Sequence, residues 1–138
     1  MKILNNLSDV SKNPKAITVG NFDGVHKGHQ ALINKTKEVS TKHNVESLIF
    51  TFNKLPKEIF SPDTVQRLYD SKIKESILSS YKVDTLLSID FNEIKDYSAD
   101  FFCEEILIKK LNAQYLIIGE NFKFGKDRSG DIEKLRKY

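Results

Sequence analysis

Four short apolar runs, at residues 16–19, 47–52, 85–89 and 115–118, alternate with stretches of helical spacing. That alternation constrains the fold more than any other feature. Each run is nearly continuous rather than alternately polar and apolar, as expected of strands covered on both faces. Between the runs, Leu32, Thr36 and Val39 share one helical face, and Tyr69, Ile73, Ile77 and Tyr81 recur every four residues. Phe102, Ile106, Leu107 and Leu111 form a third such face, with Ser98 as its N-cap. Strand–helix alternation of this kind predicts an α/β fold, a parallel sheet flanked by helices and joined by right-handed crossovers. Such sheets bind ligands beyond the carboxyl ends of their strands. Residues 132–138 begin a further helical pattern and then stop, so the chain is expected to be a C-terminally truncated piece of a longer protein.

The position rule for ligands selects three loops, at residues 20–29, 53–60 and 119–131. The first reads Gly20-Asn21-Phe22-Asp23-Gly24-Val25-His26-Lys27-Gly28-His29 and holds two of the chain's three histidines. A strand that turns through glycines into a helix start offers an anion unpaired backbone N–H groups and the positive end of the helix dipole. His26 and His29 add donors to the same anion, so phosphate handling is the expected chemistry. Neither the dinucleotide-binding nor the P-loop glycine fingerprint is present as written. One cysteine and three histidines offer no recognisable zinc set. Asp23 either bears on a magnesium ion or caps the turn, and Asn21 either donates to phosphate or braces the loop. Phe60, Phe122 and Phe124 are either loop packing or a platform for a planar ring. Arg128-Ser129-Gly130 is either a plain turn or a phosphate-binding flap.

At 138 residues, 39% apolar and 30% charged, the chain is large enough for one domain with a real core but not for two. No apolar run approaches the length of a membrane span, and the N-terminal residues lack a secretory-type segment. The expectation is a soluble, cytoplasmic protein with no membrane partner. A net charge of +3 from scattered lysines fits a solvated surface or a small anionic ligand, and not a nucleic-acid-binding face. Cys103 falls in an apolar helical stretch and is expected to be buried and unreactive.

Taken together, the loops resemble the bacterial FAD synthetases, whose N-terminal module is an FMN adenylyltransferase. Asn21-Phe22-Asp23-Gly24-Val25-His26 with Gly28-His29 is similar to the family signature. Thr51-Phe52 with Pro56 and Phe60 is similar to its flavin segment. Gly119-Glu120-Asn121-Phe122-Lys123-Phe124-Gly125 with Arg128-Ser129-Gly130-Asp131 is similar to its second nucleotide segment, and Ser98 with Phe102 fits a further position. The His-x-Gly-His element alone would name only the wider nucleotidyltransferase superfamily, whereas the segments together are specific and cover nearly the whole chain. The resemblance implies a Rossmann-like nucleotidyltransferase fold over residues 1–138, and the reaction of ATP with FMN to give FAD and pyrophosphate with Mg2+.

On that reading His26 and His29 would hold the ATP phosphates. Asn21 and Asp23 would shape the loop together with Gly20, Phe22, Gly24 and Gly28. Asn121 would sit on the nucleotide or flavin-phosphate side, and Phe60, Phe124 and Phe102 would contact the isoalloxazine ring. Pro56 and Arg128 complete the implied cofactor-binding set. Two departures stand out. This chain has Lys54-Leu55-Pro56 where the family has Pro-His-Pro, and the family's Ser/Thr-rich element ending in Arg falls beyond Tyr138, as does its riboflavin kinase domain. Two other readings are a His-x-Gly-His transferase with another phosphorylated acceptor, and a nucleotide- or flavin-binding fragment without turnover.

Overall fold

A computed structural model describes residues 1–22, 27–53, 72–119, 124–125 and 130–135. Its frame is a five-stranded, wholly parallel sheet: β1 (Lys2–Leu4), β2 (Lys15–Val19), β3 (Glu46–Asn53), β4 (Thr85–Asp90) and β5 (Ala113–Ile117). The spatial order is β1-β4-β3-β2-β5. The chain therefore steps outward from β2 through β3 to β4, then returns to the other side of β2 to form β5. The strand order reverses between β2 and β5, and a doubly wound sheet places its ligand crevice at such a reversal.

Alternate residues of the central strands feed two cores. Ile17, Val19, Leu48, Phe50, Leu87 and Ile89 face one side, where Phe102, Ile106 and Leu107 cover them. Ile49 and Leu86 face the other, against Phe22, Ile33 and Leu78. The period of two along a strand dictates this sorting. It is also why the runs look continuously apolar: both parities are buried.

The helices are α1 (Lys27–His43), α2 (residues 72–79), α3 (Phe91–Ile94), α4 (Ala99–Phe101 continuing as a π-helix, Phe102–Lys110) and α5 (Ile132–Leu135). Asn44, Lys82 and Asn112, with φ of 54°, 58° and 54°, lie just past the ends of α1, α2 and α4. A left-handed residue there turns the chain and lets following N–H groups cap the last carbonyls, as Val45 N does for Ser40 O at 3.1 Å. Ser98 caps α4 as its sequence position suggests, its hydroxyl accepting from Phe101 N at 3.1 Å.

Several local expectations need correction. The short β1 carries no apolar pattern of its own and was not foreseen; it is an edge strand joined to β4. β5 starts earlier than residue 115, and it is an edge strand with Gln114 and Tyr115 exposed rather than a strand buried on both faces. The first helix begins at Lys27, and its buried face is Ile33, Thr36 and Ser40, with Leu32 and Val39 flanking it. Of the every-four pattern, Ile73 and Ile77 point outward, 42% and 41% exposed, while Lys74 and Leu78 beside them are buried and Tyr81, just past α2, packs against the second core. Tyr69 lies outside the described residues. Phe102, Ile106, Leu107 and Leu111 do share a buried face, and Cys103 is buried beside them.

Candidate active site

The carboxyl end of β2 runs Val19–Gly20–Asn21–Phe22 into the first loop. Gly20 N donates to Phe50 O at 3.1 Å, which extends the β2–β3 pairing by one residue. The Asn21 carbonyl then accepts from Thr51 Oγ1 at 2.9 Å and from Lys74 Nζ at 2.9 Å. Asn21 is thus braced through its backbone, with the residue itself exposed. Phe22 follows in left-handed backbone, φ 55°, with its ring fully buried. A Cβ at Gly20 would lie 3.2 Å from that ring, so the close turn favours glycine.

Beyond residues 23–26 the chain re-enters described structure as the first turn of α1. Gly28 is exposed there and the imidazole of His29 is half-buried against Phe22. The first turn of α1 carries no acidic side chain of its own. The end of β5 comes to the same place: a Cβ at Gly119 would lie 3.9 Å from Leu32 of α1. The end of β5 therefore lies against α1 on the side of β2 where the strand order reverses.

The third loop is anchored at its described residues by a two-way bridge, Phe124 N to Gly130 O at 3.1 Å and Gly130 N to Phe124 O at 2.8 Å. The Phe124 ring packs on Phe102 (centroids 5.7 Å), Phe102 on Phe50 (5.7 Å), Phe50 on Phe52 (5.3 Å) and Phe52 on Phe91 (5.9 Å). Phe102 and Phe124 are core residues of this file of rings. Surface aromatic area is offered instead by Phe91, which is exposed, and Phe52, which is half-buried. At the end of β3, Asn53 Nδ2 donates to Ser88 Oγ at 2.8 Å and fastens β3 to β4.

Of the residues singled out from the sequence, Gly20, Asn21, Phe22, Gly28 and His29 come together at the end of β2, with Phe102 and Phe124 in the adjoining core. Asp23, Gly24, His26, Pro56, Phe60, Asn121 and Arg128 lie outside the described residues. Thr51, expected in the flavin segment, instead braces the first loop through Asn21 O, and Lys74 was not foreseen at this end of the sheet. A lysine within an apolar helical repeat reads as a surface residue, and only the contacts of its ammonium reveal otherwise.

The FAD synthetase family model matches residues 8–138. The bifunctional riboflavin kinase/FMN adenylyltransferase of Buchnera aphidicola subsp. Schizaphis graminum is 37% identical over 135 residues, covering 96% of this chain and 43% of that protein. The protein of the same name from Escherichia coli K12 is 33% identical over 142 residues, covering 99% of this chain and 45% of that one. A crystal structure described as a macrolide-efflux protein from Streptococcus pneumoniae superposes with a TM-score of 0.69 at 28% identity, covering 99% of this chain and 46% of that one. The chain spans somewhat less than half the length of the curated relatives it matches. Among the described residues no helix is long and apolar enough to cross a membrane. A match running from before β2 to the last residue, on a parallel sheet whose reversal point carries the glycine- and histidine-bearing turn, shows that the chain belongs to the FAD synthetase family.

Proposed function

We propose that the chain is the FMN adenylyltransferase module of a FAD synthetase, transferring AMP from ATP to FMN. The observation that carries this is the convergence of Gly20–Phe22, the Gly28-His29 turn and the end of β5 at the reversal point. An FMN phosphate oxygen attacks the α-phosphorus of ATP. The bond from that phosphorus to the bridging oxygen of the β-phosphate breaks, and pyrophosphate leaves with the electron pair. No protein nucleophile is required; positioning and charge stabilisation suffice.

His29, with His26, donates to the triphosphate, and the N–H groups at the start of α1 add to the same field. Asn21, Asp23, Gly20, Gly24 and Gly28 shape this loop. Asn121 and Arg128 act from the third loop, and Pro56 and Phe60 from the second. Phe102 and Phe124 support the flavin site from beneath as a packed wall, which their burial favours over direct stacking. Magnesium enters on the triphosphate, since Mg2+ takes substrate phosphates with one or two carboxylates.

The relatives' double name supports a module that works beside a riboflavin kinase domain in one polypeptide.

The test is FMN binding, followed by flavin fluorescence, together with FAD formation from ATP and FMN in the full reading frame. His29→Ala should lower turnover roughly 100-fold, the scale for removing one donor to developing charge, with unchanged circular dichroism. Failure to bind FMN, or transfer to nicotinate mononucleotide or phosphopantetheine in its place, would overturn the reading.

A further inference from the structure

We propose that Lys74 is the positioning residue that sets the phosphate loop and ties it to the flavin segment, an inference that rests on the adenylyltransferase reading. A lysine on an amphipathic helix ordinarily lays its stem along the surface and keeps its ammonium in water. Lys74 does the opposite. It is 9% exposed, and its Nζ donates to Asn21 O at 2.9 Å and Phe52 O at 2.8 Å.

Those two carbonyls stand at the carboxyl ends of neighbouring strands β2 and β3, which pair in parallel through Val19 and Phe50. Asn21 opens the loop assigned to the triphosphate, and Phe52 opens the segment assigned to FMN. One ammonium from α2 thus joins the starts of both substrate loops.

The Asn21 carbonyl is doubly held, because Thr51 Oγ1 donates to it as well at 2.9 Å. With both bonds made, the peptide linking Asn21 to Phe22 is fixed in position. Phe22 can then persist in a left-handed conformation, φ 55°, that a bulky side chain rarely adopts without support from its surroundings. That conformation directs the Phe22 ring into the core and against the His29 imidazole, 5.1 Å away. The path from Lys74 to the imidazole has three short steps: the Asn21 carbonyl, the Phe22 backbone and the ring contact. Lys74 touches no reacting atom on this account. Its ammonium also adds positive charge at the edge where an anion is to bind, in surroundings drier than water.

The test compares Lys74→Met, which keeps the stem and removes the donors, with Lys74→Arg, which keeps charge and donors. The Gly20 amide is the local reporter, since it donates to Phe50 O at 3.1 Å immediately before the braced carbonyl. The Lys15 amide, bonded to Asn112 O at 3.1 Å at the opposite end of β2, is the control. In Lys74→Met, Gly20 exchange should quicken roughly tenfold or more, the scale of one lost hydrogen bond to a charged group, with Lys15 unchanged. KM for both ATP and FMN should rise and kcat/KM fall roughly 10- to 100-fold, with Lys74→Arg recovering most of the loss.

A folded Lys74→Met protein with unaltered Gly20 exchange overturns the proposal, as does one that loses thermal stability but keeps both KM values. If Lys74→Met does not fold, Thr51→Val removes the other bond to the same carbonyl and is read by the same amide. Lys74→Arg then decides whether charge and donors suffice. The exchange measurement needs no turnover. An unsubstituted protein that binds neither ATP nor FMN therefore counts against the adenylyltransferase reading, while Gly20 still reports on Lys74.

Discussion

The ring of Phe22 meets the imidazole of His29 edge-on, centroids 5.1 Å apart and planes at 61°. The buried ring at the end of β2 and the imidazole on the first turn of α1 therefore restrain one another. Aromatic pairs in this geometry contribute about 0.5–1.5 kcal/mol beyond their buried area. Phe22→Leu keeps an apolar side chain but removes the ring edge. It should lower stability by roughly 1–3 kcal/mol in urea denaturation and reduce kcat for FAD formation more than it raises KM. A stability loss with kcat intact would mean that the ring only fills the core.

Gly125 holds the third loop against the start of α4. Its φ is 78°, and a Cβ there would stand 2.7 Å from Ala99 N and 2.8 Å from Ala99 Cα. Backbone has nowhere to go at such distances. Gly125→Ala should cost roughly 1–3 kcal/mol, the scale of a non-glycine residue held in a sparsely populated conformation, and should weaken FMN binding by displacing Phe124. Gly130→Ala acts on the same ring from the other side, its Cβ falling 2.5 Å from Phe124 Cζ. Thermal melts and FMN titration of both variants check this, and wild-type values for Gly125→Ala would remove the loop's anchorage from the account.

In α2, neighbouring apolar residues have opposite fates. Leu78 is fully buried against Phe22, Ile33 and Ile49, while Ile77 is 41% exposed. Leu78→Ala should cost about 2–5 kcal/mol, whereas Ile77→Ser should stay within about 0.5 kcal/mol, as surface changes do. Denaturant midpoints with unchanged m-values would establish the contrast. A large cost at Ile77 would mean that this face is covered in solution.

That contrast shows what could be read from the residues alone. β2, β3 and β4 are legible because burial on both faces makes strands continuously apolar, and Ser98 because capping is local chemistry; β5 shows through Leu116 and Ile117 although it is an edge strand with Gln114 and Tyr115 exposed. The face of α2 was not. Ile73 and Ile77 belong to the better apolar repeat, yet within α2 the sheet takes the adjacent stripe of Lys74 and Leu78, where the Lys74 ammonium bonds the Asn21 and Phe52 carbonyls. Tertiary contacts overrode the helical pattern. β1 is hard to read because it is three residues long, too short for a pattern, with Leu4 alone packing against the core. The His29 turn stood out for its residue types, whereas its dependence on Thr51 and Lys74 lay in contacts between segments 30 and 53 residues apart in sequence.

A second buried lysine gives a prediction that depends on pH. Lys15 has no exposed surface, and its Nζ donates to Ser11 O at 2.5 Å, Asn13 O at 2.7 Å and Leu111 O at 3.0 Å at the amino end of β2. Loss of water around the ammonium lowers its pKa below the ordinary lysine value, with the Glu46 carboxylate opposing the shift and Lys12 adding to it. In the unfolded chain the group titrates near about 10.4. Between the lowered native value and that point the unfolded state binds more protons, so the contribution of Lys15 to stability rises with pH and is complete above about 10.4. Lys15→Met leaves three carbonyls without their donor and should cost roughly 2–4 kcal/mol at neutral pH. The stability gap between the two proteins should then widen on the approach to pH 10.4, because the other groups titrate alike in both. Urea denaturation at a series of pH values from 7 upward measures it. A gap that narrows as pH rises would mean that the three carbonyl bonds outweigh burial and raise the pKa.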